Sequence, residues 1–341
     1  MSNRVRSETR AVVDGLDPAA SSQSTQNFHI GGSLDIAALD SAQVQANSDM
    51  SSGAGGGVAL GALVARNDVR QVVDALLSRV SLRAAADVSL RASNSSSIQA
   101  VTQGEIGSSK SAAGMGLAMN ALIATNMVLA KAHASIEHSD LYIEGHLRAH
   151  ADNLARIDAN NSAAMTANGF SAGISLAYNT IGWSSQSVLG SSLESFIGSD
   201  LGTEIPAQTL ATIVATRFTV LGDVSVRAGG GDNLKDPVGG LITAKLANKT
   251  ESQLPTASAS FILAMNKASS LTQAWISPLS YEQTESSAVV APSVLFVGGG
   301  LMVQAYEAVA IDADVSLSVS RGGGASAGGI ASRNDVRGQT T

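Results

Sequence analysis

The sequence predicts an all-β chain, a right-handed parallel β-helix (β-solenoid) with a core of small and branched residues: Ala, Val, Leu and Ile. Three observations predict it. Two phrases recur along the chain, apolar residues alternate inside them with a period of two, and the composition suits a thin layered interior. Hydrophobic residues make up 44% of the 341 residues, but aromatics only 4%, and there are 34 glycines. A deep globular core draws on Phe, Tyr and Trp, whereas stacked layers can be filled by Ala and aliphatics.

The first phrase is a few small or aliphatic residues followed by Asn. It reads "GALVARN" to Asn67, "NALIATN" to Asn126, "GISLAYN" to Asn179, "FILAMN" to Asn266 and "GGIASRN" to Asn334, and Asn3 opens the chain without this preface. The second phrase carries an Ala, an aliphatic six residues on, and another Ala two further. It gives the sets Ala38–Val44–Ala46, Ala92–Ile98–Ala100, Ala151–Ile157–Ala159 and Ala305–Ile311–Ala313, with "GDVSVRA" at 222–228 as a partial copy. Inside these phrases Val88, Leu90 and Ala92 alternate with Ser89 and Arg91, and Val224, Val226 and Ala228 with Ser225 and Arg227. That is strand patterning with one buried face, punctuated by turn-forming Gly, Asn, Asp and Ser.

The repeats predict one solenoid array over 1–341. Its units run about 3–66, 67–125, 126–178, 179–265 and 266–333, with a partial unit at 334–341. At roughly 20 residues per coil, each unit would make about three coils. The long fourth unit carries an insertion, "IGWSSQSVLGSSLESFIGSDLGTEIPAQ" at 181–208, with Trp183, Phe196 and Pro206. Such insertions emerge as loops on one side of a solenoid. One stretch resists: "NDVRQVVDALLSRV" at 67–80 has helical spacing behind a capping Asn. The matching "NMVLAKAHASI" at 126–136 alternates as a strand, and stacked copies share a conformation, so strand is expected.

Composition also excludes function classes. Charged residues are 14% and the net charge is −7; nucleic-acid surfaces need a cationic stripe with aromatic platforms, so no nucleic acid is expected. No apolar run approaches the ~20 residues of a membrane helix, so no membrane insertion is expected. The polar "MSNRVRSETR" has no apolar stretch behind it, so no signal peptide is expected in this stretch. There are no cysteines, hence no disulfides or thiolate metal sites.

Candidate chemistry is thin, and the expectation is no catalytic, cofactor-binding or metal residue. "GASAG" at 324–328 places Ser326 in a nucleophile-elbow pattern, but the last histidine precedes it, whereas in that fold the His follows the Ser. His133, His138, His146 and His150 cluster in sequence, yet strand spacing sets His146 and His150 about 13 Å apart, beyond one ion's reach. "GGGDNLKD" at 229–236 is read as an extended turn: it faintly matches a calcium-binding turn, but as one irregular copy where that fold needs stacked copies, and an Asp232–Asp236 carboxylate pair is expected by chance among 28 acidic residues. The recurrent Asn sits either at a turn or in an internal amide ladder.

The quoted phrases resemble the repeats of very large bacterial exoproteins, the filamentous adhesin-like and leukotoxin-like surface proteins of Gram-negative bacteria. The resemblance covers nearly the whole chain outside 181–208. It implies a parallel β-helix and an extracellular or cell-surface location, with cell-surface or matrix contact. The expected function is a non-enzymatic structural repeat segment, a stalk or filament element, with an adhesive role open to the 181–208 loop as a glycan- or protein-binding module. The alternative is a β-helix carbohydrate-active enzyme, a polysaccharide lyase or hydrolase. The tail "SRNDVRGQTT" repeats the start of a unit, which predicts either a segment of a longer array or end-to-end self-association.

Overall fold

In the computed structural model, the described residues are 1–15, 26–55, 57–108, 116–184, 203–230, 240–252, 257–277, 295–321 and 324–341. The chain opens with β1 (Ser2–Asp14), β2 (Gln26–Ile30) and β3 (Leu34–Ala54). The same long–short–long order recurs in β4 (Val58–Ser78), β5 (Val80–Ala84) and β6 (Val88–Ser108), and in β7 (Leu117–Glu137), β8 (Asp140–Ile143) and β9 (Leu147–Ala167). The fourth round is split. It runs through β10 (Phe170–Ile181), a small hairpin of β11 (Trp183–Ser184) and β12 (Thr203–Glu204), then β13 (Ala207–Val214), β14 (Arg217–Val220), β15 (Val224–Ala228) and β16 (Leu241–Ser252). The fifth comprises β17 (Ser258–Ser277), β18 (Leu295–Val297), β19 (Leu301–Ala305) and β20 (Ala310–Arg321), and β21 (Ser326–Thr340) starts a sixth.

Strands three apart pair in parallel, so the chain winds a right-handed solenoid with three walls. The front sheet contains β1, β4, β7, β10, β13, β17 and β21. The end sheet contains β2, β5, β8, β14 and β18, and the back sheet β3, β6, β9, β15, β16, β19 and β20. The front and back sheets face each other, and the end sheet closes one side.

The expectation of three coils per unit is corrected: each unit is a single coil. Strands of 21 residues span about 70 Å at ~3.3 Å per residue, and so use the length that three short coils would have used. The six levels marked by the Asn residues rise only about 24 Å at ~4.8 Å each. The described stack is therefore broader than it is tall, and not a rod along its stacking axis. Residue spacing alone cannot reveal this, because a long strand and three short ones carry the same period of two.

Stacking places equal residues over equal residues. Ala38, Ala92, Ala151, Ala228 and Ala305 form one inward column of the back sheet. Val44, Ile98, Ile157, Ile242 and Ile311 form a second, and Ala46, Ala100, Ala159, Ala244 and Ala313 a third. In the middle coils these side chains are buried. The partial copy at 222–228 is thereby completed: the chain leaves the wall after Ala228 and returns with Ile242 and Ala244 in the same columns.

The recurrent Asn forms the internal ladder. Asn3, Asn67, Asn126, Asn179, Asn266 and Asn334 share one front-sheet column. Each Nδ2 donates to the Oδ1 of the next coil at 2.8–2.9 Å. A second amide contact, from Asn94 to Asn153 at 3.2 Å, lies on the back sheet. The buried ladder amides of Asn67, Asn126, Asn179 and Asn266 are tolerated because both halves of each are satisfied. Elsewhere a glycine makes room for a large residue across the interior. A Cβ on Gly61 would run into Ile106 and Met50, and one on Gly173 into Met165.

Residues 67–80 are strand, not helix: β4 runs through to Ser78 with Val69, Gln71, Val73, Ala75 and Leu77 inward. The helical spacing arises because outward Val72 and Leu76 are apolar as well. At the front-to-end corner, Arg79, His138 and Ala215 stand at φ near +50° in three successive coils. This left-handed kink turns the chain into the short sheet.

Asn126→Ala removes one ladder amide and leaves the Asn67 donor and the Asn179 acceptor unpaired. It is expected to cost roughly 2–5 kcal/mol, whereas Asn160→Ala on the exposed back face should stay within about 0.5 kcal/mol. Urea unfolding of both variants measures the difference, and equal effects would contradict the ladder's role.

Candidate functional site

The insertion leaves the front sheet in mid-strand. β10 ends at Ile181 beside Val128, and β13 resumes at Ala207 along the second half of β7. The wall is thus rebuilt by two segments, and the inserted residues are 182–206, two shorter at the C-terminal end and one at the N-terminal end than the sequence bounds. Residues 185–202, Phe196 among them, lie outside the described residues. Gly182 makes the exit: its φ is +75°, and a Cβ there would meet the carbonyl oxygen of Ser269.

The neck of the insertion rests on a cluster of charged side chains. Trp183 is buried, with Lys267 Nζ 4.3 Å and Arg337 Cζ 4.8 Å from its ring centroid. Lys267 belongs to the fifth coil and Arg337 to the sixth, so one indole from the fourth coil joins three levels. Such cation–π contacts gain strength when desolvated, and Lys267 is 1% exposed. Glu204 on β12 accepts from Ser269 Oγ at 2.5 Å and from Arg337 at 3.1 Å. Asp335 binds the same guanidinium at 3.1 Å; this hydrogen bond, first, and Glu204 raise the Arg337 pKa above its ordinary value. Chemically the cluster is a fastening: its charges are engaged with one another and with the indole.

Two open grooves cross the coils. One, of about 500 Å³, lies on the front sheet between the rows of Arg6 and Arg70 and of Glu8, Val72 and Lys131, and is closed by Ile205 and Pro206 of the insertion. The other, of about 530 Å³, runs along the back sheet where Asp49, Gln103, Ser162, Ala247 and Ser316 stack in one row and Ser51, Glu105, Ala164, Lys249 and Ser318 in another. Among the described residues no aromatic side chain lines either groove.

The residues singled out in the sequence are dispersed. Ser326 begins β21 in strand pairing with Ser258; the strand–turn–helix of a nucleophile elbow is not what surrounds it. His133 lies on the outer front sheet, 3.3 Å from Thr212 Oγ1, and His150 on the outer back sheet, 3.0 Å from Ser225 Oγ. His138 is a corner residue. His146 accepts the Asp223 backbone N–H at 2.9 Å through Nδ1. Among the described residues no group of His, Cys, Asp or Glu is arranged to hold a metal ion. Of the turn at 229–237 only Gly229 and Gly230 are described, both at positive φ; Asp232 and Asp236 lie outside the described residues.

One set of polar residues was not anticipated: the aspartates at the corner between the end and back sheets. Asp87 accepts the His146 backbone N–H at 2.9 Å and an Arg148 N–H at 2.8 Å, and Asp223 accepts the Gly300 N–H at 2.7 Å. Each thus caps the next coil. The signal was present in "ADVSL" and "GDVSV", where the Asp directly precedes the inward Val.

No protein-family model, no curated protein and no solved structure matches the chain.

Two groups make the stack sensitive to acid. Burial, and secondarily Lys131, lower the His133 pKa below its ordinary 6.5, partly opposed by Asp74 and Glu137. The His146 backbone N–H, and then Arg148, lower Asp87 below 3.8. Both folded-state values lie below the unfolded ones, so both contributions are complete above the unfolded pKa and are lost as pH falls through the folded value. Stability should therefore decline as pH falls below the ordinary His value of about 6.5 through His133, and again below the ordinary Asp value of about 3.8 through Asp87. Urea midpoints across pH for the protein and for His133→Gln test this: the variant should lose the upper step, and a midpoint that rises on acidification would contradict it. Trp183→Ala removes the fastening and should cost about 3–5 kcal/mol in the same assay; a loss under 1 kcal/mol would show that the neck is not part of the wall.

Proposed function

We propose that the chain is a structural repeat segment, a stalk or filament element of a secreted or cell-surface bacterial protein, and not an enzyme. One observation carries the reading. Among the described residues the chain leaves a wall in mid-strand after Ile181 and after Ala228, and each time it returns to the same columns. What is maintained through every coil is the stack itself: the Asn ladder, the Ala and Ile columns and the parallel pairing. A catalytic solenoid needs side chains converging in a groove; the back-sheet groove is walled mainly by Ser and Ala, the front-sheet groove carries Arg6, Glu8, Arg70 and Lys131, and among the described residues neither has a sugar-stacking aromatic. The resemblance of the repeat phrases to those of giant bacterial exoproteins supports the location.

A second reading is favoured by the neck of the insertion. Trp183, Lys267, Arg337 and Glu204 fasten a loop to the wall, which is how an adhesive loop would be displayed on a stiff support.

The test has two parts. Antibody against the chain should label intact cells of the source organism, and labelling only after lysis would overturn the surface location. Incubation of the chain with acidic and neutral polysaccharides should release no reducing ends or unsaturated products. Release that is abolished by a groove substitution such as Glu105→Gln would establish the enzyme instead.

A further inference from the structure

The N-terminal half of the front sheet's long strands is apolar on its outer side as well. Beginning at β4, its outward residues form four columns: Val58–Leu117–Phe170, Leu60–Met119–Ala172–Ala259, Ala62–Ala121–Ile174–Phe261 and Val64–Ile123–Leu176–Leu263. None carries a charge. Large members are open to solvent, Leu60 at 63% exposed, Ile174 at 50% and Met119 at 44%, whereas Leu263 at the far corner of the patch is buried. Strands of a parallel sheet that are apolar on both faces are normally covered on both, and a contiguous apolar patch of this size marks an association surface.

We propose that this face binds the same face of a second copy of the chain, forming a closed two-fold dimer. The side-chain sizes point to that partner. In the second column the large residues Leu60 and Met119 come first and the small Ala172 and Ala259 follow. In the third column the order is reversed: Ala62 and Ala121 come first, then Ile174 and Phe261. A two-fold axis parallel to the stacking direction, passing between these columns, lays each column over the other at the same level. Leu60 and Met119 then enter the hollow above the copy's Ala62 and Ala121, and Ile174 and Phe261 the hollow above its Ala172 and Ala259. The hollow bounded by Leu60, Met119 and Ile174 measures about 360 Å³. Flat sheets pack in this way at about 10 Å separation, and an isologous contact requires a self-complementary patch of this kind.

The area suffices. Four columns cover about 25 Å along the strands and four levels about 20 Å across them. That gives on the order of 500 Å² of footprint per copy and about 1,000 Å² for the pair, the lower bound for a specific interface. Arg66 and Arg333 stand at the two ends of the next outward column, with the buried Thr125, Tyr178 and Met265 between them, so the patch has a polar rim at those two ends.

The dimer is independent of the stalk reading and is separable from association through the ends, which would grow without closing. Sedimentation velocity of the full chain over a concentration series should show a monomer–dimer equilibrium that stops at two copies. Met119→Glu combined with Ile174→Glu, both outward and so neutral to the interior, should shift the protein to monomer by at least tenfold in Kd while circular dichroism and melting are retained. If that pair unfolds, Leu60→Gln is read in the same way. A wild-type chain that stays monomeric about a hundredfold above a micromolar Kd, or a folded variant that associates as before, overturns the proposal.

Discussion

Everything in this molecule depends on register. When one coil lies on the next with equal residues superposed, each inward column must accept the same kind of side chain at every level. Parallel pairing fixes the register along the strand, since a shift by one residue would turn every inward side chain outward. The Asn column adds a chemical lock. An amide that both donates and accepts along the stack is satisfied only by another amide one coil away, so a slip would bury unpaired polar groups at both ends of the break. Apolar columns set the stability, and the amide column sets the alignment.

Register leaves the outer surface free, and the chain uses that freedom. At Gly182 it leaves the front wall, is fastened by Trp183 between Lys267 and Arg337, and re-enters at Ala207 without disturbing the columns. At Gly229 it leaves the back wall and re-enters at Leu241. A scaffold that tolerates such departures can carry loops, grooves or an apolar face while the interior stays the same. Function on a fold of this kind therefore resides in what the outer faces carry.

Much of the architecture was legible because it is periodic. Ala92, Ile98 and Ala100 and their counterparts could be aligned by eye, and the structure stacks them. The number of coils per unit could not be read, since period-two alternation continues unchanged through a 21-residue strand. The ambiguity at Val69–Leu77 came from Val72 and Leu76, two outward residues that are apolar although their columns carry polar side chains at other levels. The Asn phrase left turn and ladder equally open, because the choice depends on a partner some sixty residues away. The cluster at the insertion neck was hidden for the same reason: Trp183, Lys267 and Arg337 are brought together only by stacking.

The chain contains no cysteine, so an engineered disulfide measures register directly. Gln99 and Asp158 face outward on adjacent back-sheet strands at matched positions. Their Cα atoms should lie about 5 Å apart, within disulfide range. One coil per unit predicts that Gln99→Cys with Asp158→Cys closes a bridge under mild oxidation, while Gln99→Cys with Arg148→Cys does not. With three coils per unit, Gln99 and Asp158 would be separated by three levels, about 14 Å. An open pair at these two sites in the folded protein would contradict the stacked architecture described above.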